Sequence, residues 1–105
     1  MIYIITNLQT KELAQKIGKN LLEKRLVACY NLFPIESAYW WKGKILEEAE
    51  VTLILKTIEK NFPKIESFIN KNSVYEMPEI AAVKVDKANK SYLSWLDGET
   101  RYSDT

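Results

Sequence analysis

Glu47, Glu48 and Glu50 form the one dense acidic cluster in the sequence, and along an extended chain Glu48 and Glu50 point to the same side. Two carboxylates on one face can offer oxygen ligands to a hard cation. A charge run is more commonly a solvated or partner-paired edge, so weak, nonspecific divalent-cation binding is the most expected of it. A second group is Tyr75-Glu76-Met77-Pro78, which joins a helical to an extended segment and places a phenol beside a carboxylate. Loops of this kind often carry function. Chemistry that needs an imidazole is excluded, because the chain contains 0 histidines. Cys29 is the only cysteine, so neither an intrachain disulfide nor a cysteine-rich zinc site can form. Between Ala28 and Tyr30 it is expected inside a sheet, as an inert thiol of a cytoplasmic protein. With 3 glycines there is no phosphate-cradling loop, and no nucleophile sits with a base, so no catalytic residue is assigned and an enzyme is not expected.

These residues must be positioned by a small fold. A chain of 105 residues is one domain, and 47% hydrophobic with 28% charged residues is an ordinary globular balance. Fifteen basic against 14 acidic residues give a net charge of +1, without the basic excess of a nucleic-acid binder. Tyr3, Tyr30 and Phe33 resemble the aromatic row of RNA-recognition sheets, but the Lys/Arg-Gly pattern around such rows is absent and core packing is expected. No apolar run approaches ~20 residues, so no membrane span is expected. The apolar start, Met1 to Thr6, has no charged leader, which favours a cytoplasmic location.

Met1 to Thr6 is β-branched and uninterrupted, as in a buried strand. Thr10 then suits a helix cap with Glu12 in the first turn, and Leu13, Ile17 and Leu21 recur on one helical face. From Leu26 the period becomes strand-like to Trp41, with Pro34 at a kink or edge. Lys42-Gly43-Lys44 is the turn, and the return strand from Ile45 to about Lys56 puts Val51, Leu53 and Leu55 on one face. Asn61 is expected to cap a second helix carrying Phe62, Ile65, Phe68 and Ile69. Glu79 to Val85 reads as a last strand, and Ala88, Tyr92, Trp95 and Leu96 as a short helix closed by Gly98, with Tyr92 and Trp95 docking it. The order predicts an α+β, ferredoxin-like sandwich, βαββαβ plus a C-terminal helix, with helices on one face of an antiparallel sheet and a long protruding hairpin. The domain spans 1–98, followed by a polar tail, 99–105.

Tyr39, Trp40 and Trp41 are consecutive near the hairpin tip, so their rings must point to both faces of the ribbon. A domain this small covers one sheet face, which leaves at least one large ring wet in a lone chain. Burial of an aromatic removes roughly 150–250 Å² from water, so the economical arrangement is packing against another copy. The hairpin is expected to be an oligomerisation arm carried by Tyr39, Trp40 and Trp41; the competing reading is that the arms curl back and one Trp simply sits at the surface.

The segments Arg25-Leu26-Val27-Ala28-Cys29-Tyr30-Asn31, Tyr39-Trp40-Trp41-Lys42-Gly43, Leu55-Lys56-Thr57, Tyr75-Glu76-Met77-Pro78-Glu79-Ile80 and Tyr92-Leu93-Ser94-Trp95-Leu96, in this order, resemble the CutA divalent-cation tolerance family. The resemblance implies a cytoplasmic, non-enzymatic regulatory or binding protein linked to copper and other divalent-ion tolerance. It also implies a tight homotrimer, like that of the PII signalling proteins, in which hairpins exchange sheet contacts between subunits. Two departures matter. Ser73-Val74-Tyr75-Glu76 stands where the family usually shows His-Pro-Tyr-Glu, and Thr6 stands where some members have Cys. Both soft or imidazole copper donors are thereby lost, so no metal residue is assigned. In such a trimer Tyr75 and Glu76 are expected to meet Lys56 and Trp41 of a neighbouring subunit, with Asn31 and Tyr39, in a cleft for a small polar ligand. The competing reading is an intersubunit Glu76–Lys56 salt bridge with merely packed rings. An alternative function is a PII-like sensor of a small anionic metabolite, with Lys56 as its charge partner. A protein partner is the further possibility, and no cofactor is assigned beyond a weak divalent cation.

Overall fold

The computed structural model describes residues 1–100 of the chain. Strand β1 (Ile2–Leu8) alternates buried and half-buried positions. Ile2, Ile4, Thr6 and Leu8 therefore face the helices, while Tyr3, Ile5 and Asn7 point to the second sheet face. Thr10 caps α1 (Lys11–Glu23) as expected, its hydroxyl accepting from the Leu13 N–H at 3.2 Å. Ala14, Ile17, Gly18 and Leu21 are the buried stripe. Gly18 is set by packing, since a Cβ there would lie 2.8 Å from the Tyr30 ring. The helix closes with Arg25 in the left-handed region at φ 56°, the Leu26 N–H donating to the Leu21 carbonyl and the Arg25 N–H to that of Leu22. Glycine usually occupies that position. Here Arg25 is held instead by its guanidinium, 2.9 Å from the Glu99 carboxylate.

Strands β2 (Cys29–Trp41) and β3 (Lys44–Thr57) form the long hairpin, in register from Cys29↔Lys56 to Trp41↔Lys44. Its turn is two residues, Lys42 and Gly43, at φ 50° and 81°. Positive φ at both positions matches the twist of the arms. The strand was expected from Leu26. Leu26 and Val27 instead lie buried in the connection, and the Leu26 carbonyl accepts from the Thr57 hydroxyl and the Asn61 amide. That use of Asn61 corrects its expected role. Its side chain makes no cap bond to α2 (Phe62–Asn72), which continues from a 3-10 turn at Glu59–Asn61 with Pro63 in its first turn. Strand β4 (Ala81–Lys84) is shorter than the expected 79–85.

The sheet order is β2-β3-β1-β4, and every neighbouring pair is antiparallel. This is the α+β fold expected from the sequence. Ile4, Leu53 and Leu55 from the sheet pack with Ile17 and Leu21 of α1 and Ile65 and Ile69 of α2 as one core.

The terminal helix α3 (Lys90–Glu99) departs from expectation in three ways. It takes the second sheet face: Tyr92 is surrounded by Lys56, Cys29 and Tyr3, all of which point away from α1 and α2. Leu96 is its buried anchor, while Trp95 is exposed and stacks at 5.4 Å on Tyr92. Its end is Thr100, whose hydroxyl donates to the Leu96 carbonyl at 2.8 Å, so Gly98 lies inside the helix. Residues 99 and 100 thus belong to the fold, and the rest of the expected tail lies outside the described residues. No helix among the described residues is long and apolar enough to cross a membrane.

Candidate functional site

The periodicity of the hairpin decides what gathers at its tip. On β2 the odd-numbered residues, and on β3 the even-numbered ones, point to the second face. Tyr39, Trp41, Glu48 and Glu50 therefore share that face. The loop after α2 folds against them and brings Tyr75 and Glu76, and together these groups wall a cavity of about 700 Å³. Asn7, at the end of β1, and Glu79 close its lower side. Asn7 is fixed on both sides, donating to Glu79 at 3.1 Å and accepting from the Thr52 hydroxyl at 2.8 Å.

The site is acidic and aromatic. Glu50 is only 8% exposed, which corrects the expectation of a solvated edge for the whole acidic run. Glu48 is half-buried beside it, and Glu47 alone is exposed, on the opposite face. Burial pushes the Tyr75 phenol well above its ordinary range, with the Glu50 carboxylate, and then that of Glu48, acting in the same direction. Among the described residues the buried Tyr75 hydroxyl oxygen makes no hydrogen bond of good geometry, although the Glu50 carboxylate stands beside it as an acceptor. The Tyr39 phenol is also raised, chiefly by Glu48 as an acceptor beside its hydroxyl. Both tyrosines are therefore neutral donors at physiological pH, aimed among carboxylates. Among the described residues no three His, Cys, Asp or Glu side chains converge closely enough to hold a metal ion.

One chain brings together four of the six expected ligand residues: Tyr39, Trp41, Tyr75 and Glu76. Asn31 and Lys56 share the same sheet face but sit at its base, Asn31 opposite Ile54 and Lys56 opposite Tyr3. The Lys56 ammonium stands 5.3 Å from the Tyr3 ring centroid. Trp40 points the other way and is 72% exposed, close to Ile45 at 59%, its partner across the hairpin. Sequence reasoning missed Asn7 and Glu79. A polar residue in the otherwise apolar alternation of β1 was the signal for Asn7. Nothing local marked Glu79, which lines the site just after the bend at 75–77 and before β4.

The fold and sequence have known counterparts. A model of the CutA1 divalent ion tolerance protein matches residues 2–99. The divalent-cation tolerance protein CutA of Pyrococcus horikoshii is 42% identical over 101 residues, 96% of this chain and 99% of the relative. That of Thermotoga maritima is 41% identical over 96 residues, 91% of this chain and 95% of the relative. Among solved structures, the periplasmic divalent cation tolerance protein CutA from Archaeoglobus fulgidus superposes with a TM-score of 0.93 at 36% identity, over 95% of this chain and 99% of that one. The PII-like protein CutA from Nostoc, in apo form, gives 0.88 at 36% identity, over 95% and 97%. With the matching model spanning nearly the whole chain and full-length relatives above 40% identity, the chain belongs to the CutA1 divalent ion tolerance family.

Proposed function

We propose that the chain is a non-enzymatic binding or regulatory protein of the divalent-cation response, copper included, working in the cytoplasm as a homotrimer. The observation that carries the assembly is the uncovered hairpin. Its arms extend a molecule of 45 × 28 × 21 Å, β2 is, among the described residues, an unpaired sheet edge thirteen residues long, and Trp40 and Ile45 lie exposed at its end. Long apolar edges of this kind recruit another strand or another surface. Tyr39, Trp40 and Trp41 are the contact residues of this reading. Assembly also gives Asn31 and Lys56 a route to the cavity, each arriving from a neighbouring subunit beside Tyr75 and Glu76.

Metal sensing through a dedicated copper site is not part of the reading. The chain has 0 histidines, and Cys29 lies half-buried beside Tyr92 and Lys56, away from the cavity. A second reading, a PII-like sensor of a small anionic metabolite, is supported by the likeness to a protein itself described as PII-like, and it needs Lys56 from a neighbour to supply the positive charge.

Light scattering at micromolar concentration tests the assembly, with three times the 12.2 kDa chain mass as the expected result and a single chain mass overturning it. Calorimetric titration with Cu(II) and Zn(II), beside nucleotides and small organic acids, separates the two binding readings. Saturable binding of an acid, abolished by Lys56→Gln, favours the sensor.

A further inference from the structure

Between the end of α2 and the start of β4 the chain passes the hairpin tip with little of its own to hold it there. Among the described residues the backbone of 74–79 makes no hydrogen bond to the backbone of another segment, and its one internal tie runs from the Tyr75 N–H to the Ser73 hydroxyl at 3.2 Å. Val74 is 60% exposed and Met77 78%, so neither anchors the loop by burial. Yet Tyr75 lies half-buried beside the Glu50 carboxylate, and Glu76 stands in the same cavity wall. A segment with so few contacts opens easily unless something fastens it.

The candidate fastening is Asn7. Its Nδ2 donates to Glu79 at 3.1 Å, and among the described residues this is the one hydrogen bond of good geometry between 74–79 and the sheet. The Thr52 hydroxyl, directly across the β1–β3 ladder on a residue 7% exposed, donates to Asn7 Oδ1 at 2.8 Å. With its oxygen taken, the carboxamide turns its N–H to the loop, and the acceptor there is a carboxylate, which makes the bond charge-assisted. An ionised Asp at this position would accept from Thr52 but have no proton for Glu79, and an apolar side chain would do neither. Tyr75 precedes Glu79 by four residues, so at ~3.3–3.6 Å per residue the fastening lies within about 14 Å of it along the chain.

We propose that Asn7 is the positioning residue of the hairpin-tip cavity: through Glu79 it latches the 74–79 loop to β1 and β3, and release of that latch lifts Tyr75 and Glu76 from the cavity wall. The proposal deepens the ligand-binding reading above and rests on it for its purpose, but its test needs no ligand.

Asn7→Asp keeps the acceptor for Thr52 and sets two carboxylates against each other at the latch. Asn7→Asp/Glu79→Gln reforms the bond with donor and acceptor exchanged. Native-state cleavage of the full chain by thermolysin, with fragments identified by mass, reads loop opening, because cleavage follows the open population when reclosing is fast. Asn7→Asp is expected to raise cleavage within 73–80 about tenfold or more, as for loss of a charge-assisted bond, and the double variant to return it towards the native rate. The alkaline titration of the Tyr75 phenol, followed by NMR, is expected to move down towards the ordinary tyrosine range in Asn7→Asp and back up in the double variant, since burial is what raises it. Should Asn7→Asp fail to fold, Glu79→Ala on the exposed loop gives the same test, with faster cleavage confined to 73–80 expected. Native rates of loop cleavage in Asn7→Asp overturn the proposal, as does a double variant that recovers neither readout. Cleavage spread along the chain in step with the urea midpoint overturns it too, because Asn7 then only stabilises the sheet. An unmoved loop beside saturable binding in the panel above strikes the latch alone, whereas a working latch with no compound bound strikes the ligand reading alone.

Discussion

The two ends of the hairpin obey the same alternation and meet opposite fates. At the base of β3, Leu53 and Leu55 are 0% exposed because α1 and α2 lie over them. At the tip, Trp40 and Ile45 point to the same side of the ribbon, but the helices do not reach that far and both are in water. On the second face the contrast reverses in kind. The base is closed by α3 through Tyr92, and the tip forms an acidic, aromatic cavity. Periodicity chooses the side a residue faces, and the covering element decides whether that side is dry. An end without its own cover is where a partner or a ligand belongs.

The sharpest way to break the comparison is to empty the covered end. Leu53→Ala removes buried methyls from a packed site and is expected to cost about 2–5 kcal/mol, read as a fall in the urea midpoint. A change below 1 kcal/mol would mean the base is no better packed than the tip.

Trp40→Ala strikes the uncovered end. With no intrachain cover to lose, it is expected to leave the circular dichroism spectrum intact and to weaken assembly by about 2 kcal/mol or more, as for a buried interface tryptophan. Dissociation on dilution, followed by sedimentation velocity, measures this. Loss of folded structure instead would show that the tip is part of the core.

Gly18→Ala comes next. In an open helix position it stabilises, but here the new methyl would meet the Tyr30 ring at 2.8 Å. A loss of about 1–3 kcal/mol in thermal or urea unfolding is expected from overpacking.

The smallest effect sharpens the view of the cavity. Because the Tyr75 hydroxyl has the Glu50 carboxylate beside it but no well-formed hydrogen bond among the described residues, Tyr75→Phe is expected to change stability at pH 7 by less than about 0.5 kcal/mol. The pH dependence is one-sided. The folded Tyr75 pKa is raised, so unfolded phenols ionise first near pH 10 and stability falls as pH climbs from there towards the folded value. Below pH 10 the group contributes no slope, and Tyr75→Phe is expected to flatten the alkaline fall in urea midpoint.

Much of this was legible in the sequence because it is local. The Thr10 cap, the Leu13-Ile17-Leu21 stripe, the Gly43 turn and the alternation of β3 each depend on a few neighbouring residues. What failed depended on distant partners. Asn61 looks like a cap until the Leu26 carbonyl, thirty-five residues away, claims its amide. Arg25 at a glycine position makes sense only with Glu99 beside it. Glu50 looks like part of a solvated run, yet the 75–76 loop folds over it. Of the site, the rings and Glu76 were readable from type and place, whereas Asn7 and Glu79 required the sheet order.

The central claim is that the uncovered hairpin is covered by copies of itself. Hydrogen exchange along β2 reads this directly, because half of its amides bond to β3 and the other half face outward from a sheet edge. At micromolar concentration the outward amides from Ile35 to Trp41 are expected to be protected, and to lose that protection in Trp40→Ala. Exchange of those amides at the rate of an open edge, in the native protein and at high concentration, would contradict the account.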